Sequence, residues 1–134
     1  MARDYKKLQI YHLSYAFTKS VYNVLNQIPK FEENNLYSQL RRASVSIPLN
    51  IAEGSSKASI NEFLYFLNTA WASGKEVEVI LQLCNDFSYI DKKTFDKLSK
   101  NLDELNAKLF LFMRNIEERT SKRKKFFRKF EEQK

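Results

Sequence analysis

Few side chains in this chain could do covalent or acid–base chemistry. His12 is the only histidine and Cys84 the only cysteine. A lone cysteine forms no internal disulfide and cannot by itself build a zinc site. It falls within an apolar periodicity, which predicts a buried structural thiol. His12 sits near the start of a helical segment with no cysteine or acid beside it, so a surface position is expected rather than a general base. Glu53 and Glu76 could act as a carboxylate pair if their segments face each other. Their alternative use is structural, with Arg42 or Arg41 as the partner of Glu76 and Asn50 donating to Glu53. Gly54 and Gly74, the only glycines, belong to no phosphate-cradling loop. The glutamates do not form the Glu-x-x-His pairs of a di-iron bundle. No enzyme, cofactor or metal is expected.

Charge is the other chemistry on offer. The chain carries +7 overall. From Arg114 onward nine basic residues face four acids, a surplus of five, which leaves only +2 for the rest. Such asymmetry marks a polyanion-binding tail. Within it, Lys122, Arg123, Lys124, Lys125, Arg128 and Lys129 interleave with Phe126, Phe127 and Phe130. Cations neutralise phosphates and exposed aromatics stack on unpaired bases. Those six cations, with Arg41, are the expected nucleic-acid contacts. An amphipathic helix on an anionic membrane, or a solvated helix end, would have the same composition.

Positioning these groups falls to helices. With two glycines and two prolines in 134 residues there is little material for hairpins, and the size fits one domain. No apolar run reaches the roughly 20 residues of a membrane span, and no signal peptide is visible, so a cytoplasmic protein is expected. The first helix is expected over about Ile10 to Ile28, with Tyr11, Tyr15, Val21, Tyr22, Leu25 and Ile28 facing inward. In the second, about Asn35 to Glu53, Leu36, Leu40, Ala43, Ile47 and Ile51 share a face. Gln39, Arg42, Ser46, Asn50 and Glu53 form a second stripe at its edge. Pro48 should bend this helix and free the carbonyl of Ser44, for which Asn50 is a possible donor. Gly54 should end it as a left-handed cap. The third helix starts at a Ser59–Glu62 capping box and runs to about Phe87. The fourth, capped by Asp91, carries a seam of Phe95, Leu98, Leu102, Leu105, Leu109, Phe112 and Ile116.

This pattern predicts an all-α fold, an antiparallel up-down-up-down four-helix bundle over residues 1–120, with a basic extension over 121–134. The third helix is apolar over too wide an arc. Phe63, Phe66, Ala70, Ser73, Val77, Leu81 and Cys84 can face the core, while Ile60, Leu64, Leu67 and Trp71 lie on a flank. A second apolar face points to another subunit, the alternative being packing under the loops or the first helix. The small residues Ala70, Ala72, Ser73 and Gly74 would let a neighbouring helix approach closely.

Gln39-Leu40-Arg41-Arg42-Ala43, Ser46-Ile47-Pro48 and Asn50-Ile51-Ala52-Glu53-Gly54 resemble a known signature. It is that of the four-helix bundle family encoded by intervening sequences of bacterial large-subunit ribosomal RNA genes. The similarity runs from about Leu8 to Ile116, including Phe63 to Phe66 and Ala70 to Glu76. Ala72 departs from it, standing where the family usually has glycine. The resemblance implies a ring-like homopentamer. It also implies kinship with diversity-generating retroelement accessory proteins, which bind nucleic acid and a reverse transcriptase. No catalytic activity comes with it. The expected function is a non-enzymatic, oligomeric nucleic-acid-binding accessory protein. The alternative is a scaffold whose bundle docks a protein partner.

Overall fold

The computed structural model describes residues 3–132, with side chains through Arg123. Four α-helices make up the fold, and no strand occurs among the described residues: α1 (Gln9–Val24), α2 (Ser38–Ser55), α3 (Ile60–Asp86) and α4 (Lys92–Glu132). Short 3-10 turns and a π-helical turn, Glu33–Tyr37, lead from α1 into α2. The core is drawn from all four helices, and α3 packs on both α2 and α4.

α1 buries Ile10, Ser14, Phe17 and Val21, followed by Leu25. That stripe differs from the expected one: Tyr15 and Tyr22 are about half exposed, and Tyr11 is only partly buried. The reason is Ser14, a polar residue at the centre of the buried face. Its hydroxyl donates to the Tyr11 carbonyl at 2.8 Å, which removes the cost of burying it.

α2 follows its apolar spacing, with Leu36, Leu40, Ala43, Ile47 and Ile51 all buried. The helix passes through Pro48 without interruption. Proline cannot donate to the carbonyl four residues back, that of Ser44. The donor is Thr18 of α1, whose hydroxyl lies 2.9 Å from the Ser44 oxygen. Asn50, the donor expected there, instead bonds its own helix at the Ser46 carbonyl (2.7 Å) and the Ser46 hydroxyl (2.9 Å). The Ser46 hydroxyl in turn meets Ser73 of α3 at 2.9 Å, so the polar stripe ties α2 to α3.

Gly54 is not a left-handed cap. It lies inside α2, is buried, and no glycine has positive φ. A Cβ there would sit 2.7 Å from the Phe66 Cβ and 3.2 Å from Phe63 Cδ1, so glycine permits the close approach of α2 and α3. The left-handed residue is Ser88, with φ of 59°. It follows α3, where Tyr89 N–H bonds the Cys84 carbonyl and Ser88 N–H that of Asn85, a Schellman closure made without glycine.

α3 and α4 start where expected, α3 with the serine half of its capping box. Ser59 Oγ accepts from the Glu62 N–H at 3.3 Å, and Asp91 Oδ1 from the Thr94 N–H at 2.7 Å. That second bond holds the Asp91 carboxyl below its usual pKa. The buried face of α3 is the expected one at Phe63, Ala70, Val77, Leu81 and Cys84, but moves one position on at two places, to Leu67 and Gly74. Phe63, Leu67, Ala70, Gly74, Val77, Leu81 and Cys84 are buried, whereas Phe66 and Ser73 are only partly so. Full burial of a leucine contributes about 1.5–3 kcal/mol, which places Leu67 in the core. Gly74 lies against α4, where a Cβ would collide with the side-chain oxygen Oδ1 of Asn106. Asn106 is buried, and neither polar atom of its amide has a hydrogen-bond partner.

Candidate nucleic-acid interface

The expected polar cluster of α2 does not assemble into ion pairs. Gln39, Arg42, Glu53 and Glu76 are exposed. The ion pairs among the described residues are Lys75–Glu78, Lys108–Glu104 and Arg114–Glu118, each within one helix and exposed. Arg42 therefore does not hold Glu76, and α2 meets α3 at Gly54–Phe66 and Ser46–Ser73, a register that sets Glu53 and Glu76 apart. Gln39 instead bonds Asn35 at 2.7 Å. A long arginine gains little by pairing at a wet surface, whereas the short Ser46, Asn50 and Ser73 side chains reach each other between helices.

Cys84 is fully buried, and burial with the nearby Glu32 carboxylate pushes its thiol up to about 11. This makes it inert near neutral pH. His12 is exposed, bonded to the Lys6 carbonyl beside the Tyr11 ring. No metal-holding group of three His, Cys, Asp or Glu side chains occurs among the described residues. None of their helices is long and apolar enough to cross a membrane.

The flank of α3 faces α4. Trp71 packs near Phe110 with ring centroids 6.2 Å apart, and Leu64 shares their pocket with Met113. Ile60 lies beside Phe112 and Ile116. Leu67, grouped with them as an interface residue, is wholly inside the core. The excess apolar arc of α3 thus has a partner in the same chain. A separate exposed apolar surface lies between α1 and α2, a groove of about 590 Å³ that includes Tyr11, Tyr15, Tyr22, Pro48 and Leu49.

The cations separate into two places. Arg41 is exposed in the first turns of α2, its guanidinium 5.8 Å from the Tyr37 ring centroid. Gly54, thirteen residues on, packs on Phe63 near the other end, about 20 Å away along the axis. At that far end lies an open groove of about 1150 Å³ with Arg3, Lys7, Arg119, Lys122 and Arg123 around it and a single acid, Asp4. The structure therefore does not bring Arg41 together with Lys122 and Arg123. It adds Arg3, Lys7 and Arg119 to them. The side chains of Lys124, Lys125, Arg128 and Lys129 lie outside the described residues.

α4 has 41 residues and α3 27, or about 61 Å and 40 Å at 1.5 Å per residue. The Arg119–Arg123 cations therefore lie on a helix that continues past its neighbour, and the extension expected over 121–134 starts as the same helix rather than after a break.

A profile of the 23S rRNA-intervening sequence proteins matches residues 6–110. This chain belongs to that family. The match covers the signature of α2 and stops short of the basic stretch, which lies outside the matched residues. A crystal structure of a protein of unknown function from the S23 ribosomal protein family of Bacteroides thetaiotaomicron VPI-5482 has a similar fold. The TM-score is 0.72 at 24% sequence identity, covering 78% of this chain and 97% of that one. At that identity the likeness speaks for the fold alone. No curated protein matches the chain.

Proposed function

We propose that this protein is a non-enzymatic, oligomeric nucleic-acid-binding accessory protein, with its four helices running alternately up and down. The observation that carries this reading is the protruding part of α4, where Arg119, Lys122 and Arg123 are exposed and Arg3 and Lys7 lie nearby. Lys124, Lys125, Arg128 and Lys129 follow in sequence, while the rest of the chain is nearly neutral. A cation row on a protruding helix can reach phosphates without moving the bundle. The family name, which refers to 23S rRNA, makes RNA the first polymer to test. The half-exposed tyrosine and leucine face of α1 and α2 supports self-association with further copies. A ring of five, and kinship with diversity-generating retroelement accessory proteins that serve a reverse transcriptase, are the specific form proposed.

Fluorescence anisotropy with single-stranded RNA over a salt series tests the reading. Deleting Ser121–Lys134 should weaken binding. The slope of log K against log salt should flatten by about 0.7 for every phosphate that the shortened protein no longer neutralises. An unchanged affinity and slope would refute the placement on α4. Light scattering of the intact protein gives the subunit number.

A further inference from the structure

The groove at the end of the bundle has a composition that phosphate binding does not need. Its floor is apolar, built from Leu8, Ile60, Phe63, Phe112 and Ile116. Leu8, Phe112 and Ile116 are partly buried residues packed against the core, so the apolar surface continues out of the core into solvent. The cations stand on two walls. Arg3 and Lys7 come from the N-terminal segment, and Arg119, Lys122 and Arg123 from α4. Arg3 is fixed: its guanidinium donates to the Lys57 carbonyl at 2.7 Å and lies 4.5 Å from the Phe63 ring centroid.

The geometry points to a docking groove for an acidic amphipathic helix of a partner protein. Charge complementarity selects this occupant. Cations on both walls call for anions on both flanks, and the floor between them calls for an apolar stripe. A fatty acid brings one charge and would leave most of the cations unmatched. The basic tail of a second copy would be repelled. Nucleic acid brings the charge, but the Phe63 ring of the floor is closed to its bases. Phe63 is 2% exposed, with Arg3 over its ring and the Phe112 ring in a T-shaped contact at 6.0 Å. The α4 wall from Phe112 to Arg123 is about 17 Å long, room for three turns of a partner helix. Helix-in-groove binding uses apolar anchors at spacings of three and four, and flanking acids would meet the walls. This reading does not depend on the nucleic-acid one, although the two share the groove's cations, Arg3 and Lys7 as well as those of α4.

The probe is a fluorescein-labelled peptide with leucines at spacings of three and four and glutamates on the flanks. Its control has the same composition in a permuted order. The intact protein should bind the periodic peptide at least about 10-fold more tightly than the permuted one, a gap of about 1.4 kcal/mol. Ile116→Ser and, independently, Leu8→Ser should each weaken the peptide by about 10-fold or more. RNA affinity and its salt slope should stay unchanged, because both variants keep every cation. Circular dichroism checks the fold of each variant. Equal affinity for the two peptides, no binding at about 100 µM, or indifference to both floor substitutions would overturn the assignment. Loss of RNA binding together with peptide binding in the folded floor variants would overturn it too, by making RNA the occupant.

Discussion

Thr18 supports a proline in a different helix, and that support can be measured. Its hydroxyl lies 2.9 Å from two carbonyl oxygens, Ser14 in its own helix and Ser44 in α2. The Ser14 carbonyl already accepts the Thr18 backbone N–H in the α1 ladder, so the hydroxyl proton is needed only at Ser44. Ser44 is fully buried, and Pro48 removes its helical donor. Thr18→Val keeps the shape and deletes the donor. A buried carbonyl left unpaired costs about 1–3 kcal/mol. With an unfolding entropy of about 2.1 cal/mol/K per residue, 134 residues give about 0.28 kcal/mol/K, so Tm should fall by about 4–11 °C. The decisive measurement is a double-mutant cycle by thermal denaturation at fixed protein concentration. In a Pro48→Ala background residue 48 regains an N–H for Ser44, and Thr18→Val should then cost at least about 1 kcal/mol less. An equal cost in both backgrounds would refute the cross-helix bond as the proline's compensation.

Gly54→Ala and Gly54→Asn test whether this glycine is a contact or a cap. A left-handed cap tolerates asparagine, whereas a Cβ 2.7 Å from the Phe66 Cβ penalises both by about 1–3 kcal/mol, read as lowered Tm. Cys84 predicts a pH dependence. Its folded pKa is raised from 9.0 to about 11, so between those values the unfolded thiol loses its proton and the folded one keeps it. The stabilisation is complete below pH 9 and is lost as pH rises towards 11. Urea midpoints should fall more steeply in that window for the parent than for Cys84→Ala, by about 2–3 kcal/mol in all. Parallel pH profiles would contradict it.

Local pattern carried much of the fold. The apolar stripe of α2, the seam of α4 and the caps at Ser59 and Asp91 are properties of residues within a few turns of one another, and spacing reports them. Ser14 shows where spacing stops: a serine satisfied by its own backbone occupies a buried position, while tyrosines that look like core residues face outward. Gly54 is ambiguous for another reason, since glycine serves a turn and a close helix contact equally, and only the neighbouring helix decides between them. Thr18 could not be matched to Ser44 before α1 and α2 were set side by side. The charge of the tail was legible, but its company was not. Arg3 meets Lys57 across 54 residues of chain, and the groove joins the N-terminal segment to α4. Arg41 looked equivalent to the tail cations because sequence alone does not measure distance along a bundle.

The contact between Gly74 and Asn106 acts as a key that fixes the register of α3 against α4. Both polar atoms of the Asn106 amide are buried without partners, a cost of about 1–3 kcal/mol that a leucine seam alone would avoid. Repeated leucines permit slippage, because Leu98, Leu102, Leu105 and Leu109 can each replace the next with little change in burial. The amide breaks that degeneracy, since it lies where any side chain on α3 would obstruct it and Gly74 is the only glycine in that helix. A slip of one turn would bring Leu102 or Phe110 to Gly74 and press the amide against a side chain. The joint gives up stability for a single alignment, and that alignment fixes how far the basic end of α4 projects.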